Sequence, residues 1–128
     1  MTRDDDTANP SAPDVVAFLR TRLQDDWNFA REAMINDGHW KAERTVVVLD
    51  TGAEIEDVFL GPADHIARFD PARALAEVEA KRAIVDTYAR PPGNDGVPRA
   101  FRDGLHIAIL LLASVYADHA DYSEEWRP

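Results

Sequence analysis

Apolar residues recur at three- and four-residue steps along the first part of the chain: Val16, Leu19, Leu23, Trp27, Ala30 and Met34. Arg20, Arg22, Gln24, Asp25 and Arg31 fall outside that stripe. The period predicts an amphipathic helix with Asp14 as its cap and Asp37-Gly38 as its stop. Phe18 and Phe29 sit beside the stripe and are expected to widen the buried face enough to meet a second element. Residues 1–13 offer Asp, Thr, Ser, Asn and two prolines, and read as a tail with nothing to bury.

Between His39 and Leu60 the period changes. Thr45 to Leu49 is short and β-branched, Asp50-Thr51-Gly52 is a turn signal, and Ile55 to Leu60 is a second apolar run, which together predict an antiparallel hairpin. A two-stranded ribbon is marginal by itself, so one face is expected to pack on the helices, or a third strand to come from Trp40 to Glu43 or from another subunit. Gly61-Pro62 opens a helical turn over 63–69. Asp70-Pro71 then restarts the chain as cap and first helical residue, and the helix runs to about Ala89 with Leu75, Val78, Val85 and Ala89 on one stripe. Glu77 with Lys81, and Arg82 with Asp86, stand at four-residue spacing as solvent-side charge pairs. Arg90 to Pro98 is a Pro- and Gly-rich connector. Leu105 to Ala117 is almost wholly apolar over 13 residues, too short for the roughly 20 needed to cross a bilayer, so it reads as a buried core helix.

These elements define an α+β domain spanning 14–128: an N-terminal helix, a β-hairpin, a broken central helix and a buried C-terminal helix around a small antiparallel sheet. At 128 residues, 45% of them hydrophobic and with three tryptophans, the chain can bury a core. It carries 14 Lys+Arg against 24 Asp+Glu, a net charge of −10. All the excess acid lies outside 64–104, where seven basic side chains meet seven acidic ones. That balance opposes direct binding to nucleic acid, which is driven by neutralising phosphates, and it opposes an anionic membrane surface. With no cysteine, thiolate metal sites, disulfides and a cysteine nucleophile are excluded. The start, Met1-Thr2-Arg3-Asp4, has no apolar stretch, which leads to a cytoplasmic expectation.

The catalytic vocabulary is sparse. There is no GxxxxGK[ST], no GxGxxG and no nucleophile elbow around Ser11, Ser114 or Ser123. None of the histidines at 39, 65, 106 and 119 forms HExxH or HxxxH. Asp118, His119 and Asp121 could gather as mixed ligands, but a polar C-terminal turn whose histidine caps the preceding helix is the favoured reading. No cofactor is implied. Arg68, Arg73, Lys81 and Arg82 form the one cationic concentration, fit either for an anionic or acidic partner or for internal pairing. His65 stands where it could act as a base beside Asp70 and Glu77, or serve as a packed hinge residue. Tyr116, Tyr122 and Trp126 are aromatic anchors for the C-terminus or a rigid interface patch.

Three strings carry a family resemblance: Val16-Ala-Phe-Leu-Arg-Thr-Arg-Leu23, Ala63-Asp-His-Ile-Ala-Arg-Phe-Asp-Pro-Ala-Arg through Val85, and Tyr116-Ala-Asp-His-Ala-Asp-Tyr-Ser-Glu-Glu-Trp-Arg-Pro128. In these the chain resembles a family of small acidic proteins of unknown function from high-GC actinobacteria and their phages. The resemblance implies no activity, cofactor or catalytic residue. Relatives often carry cysteines in the segment matching 90–104, which this chain lacks.

Three functions are therefore expected in order. First comes a non-enzymatic interaction or regulatory module that self-associates or binds a protein partner. Second is a mobile-element inhibitor whose carboxylates over 50–57 and 118–125 imitate nucleic acid. Third is a small enzyme or ligand-binding protein using His65, Asp70, Arg73 and Glu77.

Overall fold

The structure, a computed structural model, describes residues 12–56, 58, 60–90 and 98–128. Residues 1–11 of the tail expected over 1–13, and most of the connector, 91–97, lie outside the described residues, while Ala12 and Pro13 already belong to the first helix. In chain order the elements are α1 (Ala12–Ala33), β1 (Lys41–Glu43), β2 (Val46–Val48), β3 (Glu54–Ile55), α2 (Leu60–Arg68), α3 (Pro71–Ala89) and α4 (Arg99–Ser114), followed by a 3₁₀ turn at Glu124–Trp126. The α+β assignment holds: helices accompany a three-stranded antiparallel sheet of order β1-β2-β3.

The chain packs as two compact units, one formed by residues up to Leu23 together with Ala80–Pro128, the other by Gln24–Glu79. In the second unit the sheet supplies the third strand from the chain itself: Lys41 pairs with Val48 and Glu43 with Val46, while Val47 pairs with Ile55. The β1–β2 turn is only Arg44-Thr45, with Arg44 at φ +61°. Glycine is the residue that adopts this conformation freely, so the sequence carries no turn signal there. The expected turn at Asp50-Thr51-Gly52 is present, with Leu49 N–H bonded to Ala53 O (2.8 Å), Gly52 N–H to Leu49 O (3.0 Å) and Gly52 at φ +91°. Val47 is fully buried at the centre of the sheet, and α2 packs on β1 and β2 with Ala63 buried.

Several boundaries differ from the expectation. Helix α1 begins two residues before Asp14 and ends at Ala33, not at Gly38. Gly38, at φ +75°, serves the loop that follows instead. Among the described residues the second hairpin strand is Glu54–Ile55, and the chain is helical from Leu60. Helix α3 runs over the expected Pro71–Ala89 with Val78 and Val85 buried, but Ala89 is exposed. Phe29 is 72% exposed and does not extend the buried face of α1.

In the first unit Val15, Val16, Phe18, Leu19 and Leu23 of α1 are buried, as are Val85 of α3, Ile109 and Ala113 of α4, and Trp126. Helix α4 corrects the sequence reading most. It is buried along one face only, through Ile109 and Ala113, while Phe101, Ile107 and Leu111, with Val115 just beyond its end, are 52, 56, 53 and 69% exposed. Among the described residues no helix is long and apolar enough to cross a membrane.

Candidate functional site

In the unit Gln24–Glu79, the break between α2 and α3 places Asp70 as the cap that the sequence predicted. Its Oδ1 accepts the Arg73 N–H at 2.9 Å, and its Oδ2 accepts the Trp40 N–H at 3.0 Å with His39 Nδ1 3.8 Å away. The carboxylate is buried and holds the helix start and the loop before β1 together. A second aspartate works in the same way. Asp50 Oδ2 accepts the N–H groups of Ile35, Asn36 and Gly38 at 2.8–2.9 Å, and Asn36 Nδ2 donates to Asp50 O at 2.8 Å. Partial desolvation pushes the Asp50 carboxyl up. The backbone N–H groups of Asn36, Ile35, Gly38 and Asp50 outweigh it, and the net position is below the ordinary carboxylate value.

His65, Arg73 and Glu77 are brought together, but through a residue that the sequence reading left out. The Phe69 ring lies 4.8 Å from the His65 ring and 4.3 Å beneath the Arg73 guanidinium, whose Nε donates to Glu77 Oε2 at 2.8 Å. The positions 65, 69, 73 and 77 are four apart, which is the signal that would have found Phe69. The column is imidazole, phenyl, guanidinium and carboxylate, with His65 and Phe69 exposed. Asp70 is not part of it, because both of its oxygens face backbone donors. The acid/base trio of the third expected function is thus divided between an exposed stack and a structural clamp. Arg68 is exposed, and Lys81 and Arg82 belong to the other unit, so the cationic concentration is divided as well.

In the other unit the C-terminal aromatic residues converge on Phe18. Its ring centroid lies 6.4 Å from Tyr116, 5.8 Å from His119, 5.8 Å from Tyr122 and 5.0 Å from Trp126, and the Arg22 guanidinium stands 5.4 Å from it. His119 Nδ1 accepts the Asp121 N–H at 3.0 Å, and Nε2 meets Arg22. Ser123 caps the 3₁₀ turn by accepting the Glu125 N–H, which sets Trp126 into the cluster. Tyr116, Tyr122 and Trp126 therefore anchor the C-terminal segment, the first of the two roles that their sequence allowed. A shallow cavity of about 260 Å³ beside them is lined by Asp14, Ala17, Phe18, Thr21, Arg22, Asp121 and Trp126. Among the described residues no three His, Asp or Glu side chains gather as a metal centre.

The third feature is the exposed side of α4. At 100° per residue, Phe101, Gly104, Ile107, Ala108, Leu111 and Val115 occupy one arc of about 120°. Phe101, Gly104, Ile107, Leu111 and Val115 are exposed and Ala108 is half-buried. The signal was the apolar run itself: a helix apolar all round has two faces to cover, and the sequence cannot say that the chain covers one.

Comparison with known proteins turns on the whole described segment. Residues 12–128 match a family of unknown function, DUF6221. The chain belongs to that family. Neither a curated protein nor a solved structure matches it. The DUF6221 match covers both units, so the aspartate-clamped sheet, the Phe18 cluster and the exposed face of α4 all lie within the family's extent.

Proposed function

We propose that this DUF6221 protein is a non-enzymatic interaction or regulatory module that acts in the cytoplasm by self-association. The observation that carries the reading is the exposed apolar arc of α4, with four large side chains more than half exposed on a chain of net charge −10. A contiguous apolar patch of this kind on an otherwise charged exterior marks a contact surface. The polar candidates support the same reading from the other side. The Asp70 and Asp50 carboxylates accept backbone N–H groups, and Tyr116, His119, Tyr122 and Trp126 surround Phe18.

The test is affinity capture from nuclease-treated extract of an actinobacterial host, the source implied by the sequence resemblance, with the native chain and Leu111→Glu as baits. The native bait is expected to retain the untagged endogenous chain, and Leu111→Glu to lose it. Equal retention by both baits, or turnover by the native chain on a screened substrate, overturns the reading.

A further inference from the structure

We infer that the occupant of the α4 face is a second copy of this chain, docked antiparallel about a two-fold axis at Ala108; this rests on the self-association reading above. Phe101, Gly104, Ala108, Leu111 and Val115 follow a 3-4-3-4 spacing, the seam of helices that pair along their length. Antiparallel pairing about Ala108 sets each seam position opposite its mirror to within one residue, about 1.5 Å along the axis. Phe101 then meets Val115, Leu111 meets Gly104, and Ala108 meets Ala108.

Leu111 faces glycine, Phe101 faces the smaller Val115 and Ala108 meets itself on the axis, and the two-fold repeats each contact as an isologous interface does. A Cβ built on Gly104 finds no atom within 4 Å, so the notch that receives Leu111 is open. Parallel pairing instead stacks Phe101 on Phe101 and leaves Gly104 facing Gly104 across a gap.

Charge agrees with the same geometry. Two chains of net charge −10 repel, yet no carboxylate lies between Asp103 and Asp118, so this stretch adds no like-charge contact of its own. The four large side chains offer roughly 400 Å² of apolar surface per copy, and pairing them buries about 800 Å² in all, the size of a weak, reversible contact. The expected dimer is therefore of micromolar strength.

Because the chain has no cysteine, single-cysteine variants report the geometry directly. Sedimentation velocity of the native chain from about 5 to 200 μM is expected to show conversion from monomer to dimer, centred in the micromolar range. Under mild oxidant Ala108→Cys is expected to link to itself. Phe101→Cys should fail to link to itself, since two copies place those positions about 20 Å apart along the seam. A mixture of Phe101→Cys and Val115→Cys should link.

Gly104→Leu fills the notch and is expected to weaken the dimer at least tenfold. In the monomer the same change improves helix propensity, so circular dichroism and thermal stability are maintained or rise. A dimer in which Phe101→Cys links to itself as well as Ala108→Cys does, or which Gly104→Leu leaves intact, overturns the antiparallel seam while leaving self-association standing. A monomer across the whole range overturns both the seam and self-association.

Discussion

The two units hold themselves together by different means. In the unit formed by residues up to Leu23 with Ala80–Pro128, the chain end is fixed by apolar and aromatic contact, with Phe18 at the centre of four rings and Trp126 only 7% exposed. In the unit Gln24–Glu79, the sheet is short and its loops are fixed by two carboxylates that collect five backbone N–H groups between them. The first device is non-directional and tolerates adjustment in rotamer. The second depends on oxygen positions, and losing one oxygen leaves a backbone donor without its acceptor. The comparison teaches why the polar residues that looked available for chemistry are engaged in the second unit, while the first leaves apolar surface over on α4.

Substitutions sharpen this contrast, beginning with the largest effect. Phe18→Ala removes the ring that all four C-terminal partners touch and should cost about 4 kcal/mol, read by urea unfolding. Release of the C-terminal segment should appear as a red shift of tryptophan emission. A loss below 1 kcal/mol would show that the cluster is not what fixes the chain end.

Asp70→Ala uncaps α3 and strands the Trp40 N–H, and a loss of about 2 kcal/mol is expected. Asp70→Asn, which keeps one acceptor oxygen, should lose less. Equal losses would mean that packing volume rather than acceptance holds the break between α2 and α3.

Gly38→Ala should cost about 1–2 kcal/mol, because φ is +75° and the new Cβ would stand 3.0 Å from Ala72 N and 3.3 Å from Pro71 Cβ. Gly52→Ala shares the positive φ but meets no atom within 4 Å, so it should cost about 1 kcal/mol or less. The difference between the two isolates the steric part. In the opposite direction, Arg44→Gly relieves a positive φ in the two-residue turn and should change stability by at most about 1 kcal/mol, with the gain set against the added freedom of the unfolded chain.

The smallest effect is read as a slope against pH. Asp50 is held below its ordinary pKa in the folded state, so the unfolded chain binds more protons across that interval. Its contribution is fully present above the unfolded value, near pH 4, and is lost as pH falls through the folded value. Asp50→Asn should therefore flatten the acid limb of the stability curve. An unchanged limb would remove Asp50 from the account.

Much of this was legible in the chain. The 3.6-residue stripe of α1, the Asp70-Pro71 restart, the extent of α3 and the Asp50–Gly52 turn each rest on local chemistry, and the structure places them within a few residues of expectation. Arg44-Thr45 escaped because its backbone is fixed by strand pairing on either side and not by a turn-forming residue. Phe69 escaped because it looked like the end of a helix, although its four-residue steps to His65 and Arg73 continue across the break.

What the sequence determined by itself was where regular structure starts, what type it takes and which residues are chemically able to cap, turn or pack. Each of those depends on a handful of neighbours within hydrogen-bonding or helical reach. Only the tertiary structure decided how competing demands on the same residue were resolved: that Asp70 caps α3 and clamps the loop before β1, that Tyr116, Tyr122 and Trp126 gather on Phe18, and that one side of α4 is left exposed. Burial and carboxylate partners depend on contacts between residues far apart in the chain, and a one-dimensional pattern carries no record of which apolar face finds a neighbour.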